Sequence, residues 1–116
     1  MTTSASSNLP TAAAFLRTAS RGFCEYTAPG EGDCDAGTLG SWVLTKEQTL
    51  TDEAAAQGCL SRCAACARCA YITVNRATSD CSWYASCNLA RLHDPRNAFL
   101  SGRVRQQVLA PPPLRR

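Results

Sequence analysis

The hydrophobic and polar positions fall into blocks with different periods. The run "DEAAAQGCLSRCAACARC" from Asp52 is dense in alanine and cysteine, and Thr51 precedes it. A threonine there accepts hydrogen bonds from the open N–H groups of a first turn, and Asp52 and Glu53 suit the positive end of the helix dipole. The pattern predicts a helix over about 52–66. Gly58 inside it costs about 1 kcal/mol relative to alanine and points to close approach of another backbone. "CAYITV" (Cys69 to Val74) and "CSWY" (Cys81 to Tyr84) are rich in β-branched and aromatic residues. With polar "NRATSD" between them they predict a hairpin. "GSWVLT" (Gly40 to Thr45) predicts an earlier strand, and the stretch near Phe99 to Val104 a closing one.

The rest of the chain reads as connections. Residues 1–21, rich in Ser, Thr and Ala, are expected to be disordered, with a composition resembling an organelle transit peptide or a linker. "CEYTAPGEGDC" is a Gly/Pro-rich acidic loop, expected to be closed by a local Cys24–Cys34 bridge. The tail "APPPLRR" reads as extended. The organisation is thus a disordered segment 1–21, one domain over 22–108, and a Pro/Arg-rich tail 109–116. A chain of 116 residues supports one domain with a modest core. No stretch approaches the ~20 apolar residues of a membrane helix.

Eight cysteines change this picture. Cys59, Cys63 and Cys66 sit at i, i+4 and i+7, on one face of the expected helix. Three sulfurs on one face need partners on whatever packs against it; Cys69, Cys81 and Cys87 are within reach of the hairpin. A zinc module using Cys59, Cys63, Cys66 and Cys69 is the competing reading. Zinc sites more often join separate cysteine pairs or add paired histidines, and His93 is the only histidine here. An iron–sulfur run would place its fourth cysteine after the other three, followed by proline. "CAAC" lacks the βαβ context of a thioredoxin-like site. Structural disulfides in an extracellular or lumenal, oxidising compartment fit an even count in a short chain.

The order of elements in "GCLSRCAACARCAYITVNRATSDCSWY" resembles the PAN/apple domain: cysteines at i and i+4 of a helix, a strand opening on cysteine, a polar turn, then a cysteine before an aromatic. The segment covers about a quarter of the chain. The resemblance implies an α+β, disulfide-rich fold with one helix packed across a curved antiparallel sheet. It implies the bridges Cys59–Cys81 and Cys63–Cys69. Cys66 is extra to the family pattern; assigning it to Cys87 leaves Cys24 with Cys34. The resemblance also implies an adhesion or recognition role toward a carbohydrate or a protein, without catalysis and without a cofactor.

Charge suggests where such a partner would sit. Residues 1–58 carry three basic and seven acidic side chains, and residues 59–116 nine arginines and two acids. Arginine forks match carboxylate, sulfate and phosphate groups. Arg62, Arg68, Arg76 and an exposed Tyr84 are therefore the expected ligand-binding set, for a glycan (acidic ones included) or a protein. Trp83 and Trp42 are expected to be buried, because neighbours on a strand face opposite sides. No nucleic-acid recognition motif accompanies the basic half. Glu31, Asp33 and Asp35 alternate as in calcium loops but lack the EF-hand's distal glutamate. His93-Asp94 is the only pair resembling a catalytic dyad, and no nucleophile elbow or P-loop is present. A structural subunit of an organellar complex is the remaining alternative, favoured by the transit-like N-terminus.

Overall fold

The computed structural model describes residues 9–105. Residues 1–8 and 106–116, which include the end of the expected domain and the tail at 109–116, lie outside the described residues.

Two helices pack on one face of a five-stranded antiparallel sheet. The elements are α1 (Ala12–Thr18), β1 (Ser20–Arg21), β2 (Leu39–Val43), α2 (Asp52–Ala64), β3 (Tyr71–Asn75), β4 (Asp80–Tyr84) and β5 (Leu100–Arg103). The sheet order is β1-β5-β3-β4-β2. The fold is therefore the small disulfide-rich α+β domain that the sequence predicts, with a second helix added.

That second helix falls within residues expected to be disordered. Thr11 caps it, its hydroxyl accepting from Ala14 N at 3.0 Å. Seven residues make too short a helix to hold alone in water. Tertiary packing supplies what is missing. Ala12 and Phe15 are buried in the main core, and Phe15 lies over Gly102 of β5. A Cβ at Gly102 would stand 3.0 Å from the Phe15 ring. The stretch from Ala12 to Arg21 is thus part of the folded domain.

The hairpin forms where the sequence places it, with Tyr71 opposite Tyr84 and Asn75 opposite Asp80. Side chains alternate across each strand. Ile72, Val74, Cys81 and Trp83 face the helices and share a core with Ala55, Ala56, Cys59 and Leu60 of α2. Trp83 lies against Gly40, where any Cβ would collide with the indole Nε1 and the Glu31 carbonyl. Gly58 also marks a close approach, but to the side chain of Gln48 and not to a backbone.

α2 stops at Ala64, two residues earlier than predicted, and the Cys63–Cys69 bridge explains why. Six residues of unbroken helix would separate the two Cα atoms by about 9 Å, beyond disulfide reach. The chain turns instead, with Cys66 N bonded to Cys63 O and Cys69 N to Cys66 O, and the Cα atoms come to 5.5 Å. Cys66 therefore leaves the helix before it can share a face with Cys59 and Cys63.

All eight cysteines are paired. Cys59–Cys81 ties α2 to β4, and Cys63–Cys69 closes the turn into β3, the two bridges the family resemblance implies. The other two expected bridges, Cys24–Cys34 and Cys66–Cys87, are replaced by Cys24–Cys87 and Cys34–Cys66. The sheet itself is the reason. Cys34 and Cys66 pack with the helix-side core, while Cys24 and Cys87 pack with Tyr71 and Tyr84 on the opposite face. Each expected bridge would have had to cross the sheet. The pairing also engages Cys59, Cys63, Cys66 and Cys69 in sulfur–sulfur bonds, so the zinc module has no thiolates to use. Among the described residues no group of three or more His, Cys, Asp or Glu side chains is placed to hold a metal. None of their helices is long and apolar enough to cross a membrane.

Candidate functional site

The strand sequences "YITVN" and "DCSWY" alternate apolar and polar residues, and the polar set faces away from the helices. Tyr71, Thr73 and Asn75 of β3 lie beside Asp80, Ser82 and Tyr84 of β4. One rung crosses the whole sheet as hydroxyls: Ser20, Ser101, Thr73, Ser82 and Ser41, in spatial order. Four of these five residues are buried, so their hydroxyls need partners.

They find them in two directed relays. Ser101 Oγ donates to the Gly22 carbonyl at 2.6 Å, so the 2.6 Å contact between Thr73 and Ser101 has Thr73 as donor. Thr73 in turn accepts from Cys24 N. In the second relay Ser82 and Ser41 both donate to Asp80, at 3.0 and 3.2 Å to Oδ1. An ionised carboxylate only accepts. Thr27 must therefore donate to Ser82 across their 2.7 Å contact. These relays dock the segment from Gly22 to Thr27 over the polar face. Among the described residues no buried side-chain nitrogen or oxygen is left without a partner.

The docked segment raises an aromatic wall. Phe23 forms an isolated β-bridge with His93, and its ring stacks on His93 at 5.2 Å between centroids. It also meets Tyr26 edge-on at 4.8 Å and Phe99 at 4.9 Å. Tyr26, 70% exposed, is the most exposed large hydrophobic side chain among the described residues.

Between this wall and the strand face lies a cleft of about 480 Å³. Its lining combines Phe23, Tyr26 and Phe99 with Thr27, Thr78 and Ser82, and with the carboxylates of Glu25, Asp80 and Asp94. Among the described residues no basic side chain lines it. Burial raises the Asp80 pKa above 3.8, and the bonds from Ser82 and Ser41 oppose that shift without cancelling it. Asp94 sits in the left-handed region (φ 52°) and accepts from Asn97 Nδ2 at 2.6 Å. A second cleft, about 860 Å³, lies on the other side of Glu25 and Tyr84 and is lined by the Cys24–Cys87 bridge, Asn88, Arg91 and His93.

The expected ligand-binding set does not assemble. Arg76 pairs with Asp52 at 3.0 Å and donates to the carbonyls of Thr49 and Leu50, which anchors the start of α2. Arg68 donates to the Gly37 carbonyl at 2.9 Å. Arg62 is exposed near the other end of α2, in a groove with Trp42 and Gln48. Arg62 and Arg76 thus stand at opposite ends of a 13-residue helix, about 20 Å long. Tyr84 is buried rather than exposed, and its hydroxyl donates to the Glu25 carbonyl at 2.7 Å. Burial raises its pKa. Trp83 is buried as expected, whereas Trp42 is only half-buried. Tyr84 and Trp83 do face opposite sides; both sides are covered, because the 22–27 segment lies over the polar one.

The loop carboxylates considered for calcium turn onto their own backbone. Glu31 accepts from Ala28 N, and Asp33 from Asp35 N and Ala36 N. Sequence reasoning missed Phe23, Tyr26, Asp80 and Phe99 as a group. The period-2 alternation of the strands carried a signal for Asp80; the distant Phe23 and Phe99 carried none. Comparison with protein-family models, curated proteins and solved structures finds no match to this chain.

Proposed function

We propose that this chain is a non-catalytic recognition module of PAN/apple type that binds carbohydrate in the cleft on the helix-free face of its sheet. One observation carries the reading: an exposed tyrosine lines a concave site together with hydroxyl-bearing and acidic residues. Aromatic rings stack on the apolar faces of sugars, and carboxylates and hydroxyls accept and donate to sugar hydroxyl groups. The volume suits a small ligand, whose sites span about 300–1,000 Å³. The α2-to-sheet arrangement and the bridges Cys59–Cys81 and Cys63–Cys69 support the family assignment. The four disulfides support an extracellular or lumenal setting.

The acidic-glycan version of this reading loses its support, since Arg68 and Arg76 hold backbone carbonyls of their own chain. A glycan array probed with the whole protein and with Tyr26→Ala tests the proposal. Binding to a defined set of sugars, lost in Tyr26→Ala with the fold intact by circular dichroism, is the expected result. Binding that survives Tyr26→Ala, or no sugar bound at all, overturns it.

A further inference from the structure

The cleft beneath Tyr26 is acidic although the chain as a whole is net basic. The protein carries 12 basic and 9 acidic side chains. Yet three acidic residues line this one site and, among the described residues, no basic one does. Their environments differ. Asp94 is tied to Asn97 at 2.6 Å, and Glu25 is exposed. Asp80 is fixed from below by Ser82 and Ser41, and among the described residues no cation pairs with it. Its Oδ2 accepts only a 3.1 Å contact from the Ser82 hydroxyl, which Ser82 shares with Oδ1.

A partly buried carboxylate without a counter-ion disfavours its own ionised form, as the upward shift of Asp80 reflects. A ligand that brings a positive charge removes that disadvantage; a neutral ligand does not, and an anionic one worsens it. The aromatic wall acts in the same direction. Tyr26, exposed and held by Phe23, is the ring free to offer a face, and a ring face attracts a cation within about 6 Å. The hydroxyls of Thr27 and Thr78 beside the carboxylates add partners for a ligand rich in hydroxyl groups. The volume of about 480 Å³ leaves room for a ring and not only for an ammonium group.

We infer that the ligand is an amino sugar, its ammonium group placed toward Asp80 and a pyranose face placed against Tyr26. The inference rests on the carbohydrate reading above and narrows it to cationic sugars. It assigns Asp80 as the charge-selecting residue and Tyr26 as the stacking platform that serves charged and neutral sugars alike.

The test is isothermal titration of the full chain with a glucosamine tetramer, an N-acetylglucosamine tetramer and a galacturonate tetramer at matched ionic strength. The glucosamine tetramer is expected to bind at least tenfold more tightly than the acetylated one, and the galacturonate tetramer more weakly than both. Asp80→Asn keeps an oxygen for Ser82 and Ser41 and should erase the tenfold preference, weakening the amino tetramer far more than the acetylated one. Tyr26→Ala, at an exposed position, should weaken both and provides a second variant if Asp80→Asn fails to fold. Equal affinity for the amino and acetylated tetramers, or a preference unmoved by Asp80→Asn, overturns the inference and leaves the carbohydrate reading standing. If none of the three binds, nor any sugar of a neutral panel, the carbohydrate reading falls as well. Binding of a lysine-rich peptide in preference to every sugar would likewise overturn both.

Discussion

Asp80 and Thr73 show how single side chains hold this domain. The Asp80 pKa is raised above 3.8 by burial, so the native state keeps its proton where the unfolded state has lost it. Stability should therefore fall as pH rises from the unfolded value through the raised native one, and stay lower above that. Urea midpoints measured across that window check this; Asp80→Asn should flatten the dependence. A native state that gained stability through Asp80 as pH rose would contradict the assigned cause. Thr73 links Cys24 N to Ser101 on the polar face. Thr73→Val keeps the shape and removes the hydroxyl, stranding that N–H and one hydroxyl acceptor. The expected loss is about 1–3 kcal/mol by urea denaturation, and a change within error would mean that the relay contributes nothing.

At the scale of elements, the added helix α1 makes the clearest prediction. Phe15→Ala empties a buried site between α1, α2 and β5 and should cost about 3–5 kcal/mol. A surface helix of a disordered segment would show no loss. The two hairpin strands, the closing strand and α2 were legible because each carries its own periodicity and, for α2, its own cap. α1 was not legible, since "AAAFLRT" in a Ser/Thr/Ala stretch has no local pattern that announces its partner. Its signal is Gly102, some 90 residues away, whose missing side chain makes room for Phe15. The candidate site was hidden for the same reason. The arginines that seemed free by composition anchor a helix start and a loop, whereas the cleft joins Phe23, Asp80 and Phe99 from three distant stretches. Two of the four bridges followed from the family resemblance. The other two depended on which face of the sheet each cysteine reaches, and loop residues do not encode that locally.

For the whole molecule, the disulfides divide the labour between the two faces. Cys24–Cys87 spans 63 residues and holds the cleft-side loops, while Cys63–Cys69 spans 6. Chain-entropy arithmetic gives about 4 kcal/mol for the first and about 2 for the last. Replacing Cys24 and Cys87 together by serine should thus lower the urea stability more than replacing Cys63 and Cys69, and should abolish ligand binding. With four bridges against a typical margin of about 5–15 kcal/mol, full reduction should unfold the domain. Intact mass before and after reduction should differ by about 8 Da, two hydrogens per bridge. An unreduced protein that takes up alkylating agent would instead speak against the oxidising compartment.

Recognition on the helix-free face of the sheet is the proposal on which the binding predictions depend. The most direct measurement is chemical-shift mapping of the labelled protein titrated with a sugar that it binds. Perturbations are expected at residues 23–27, 78–82 and 94–99, with α2 and the Arg62–Trp42 groove silent. Perturbations confined to α2 and that groove would contradict this and move the binding surface to the groove beside Arg62.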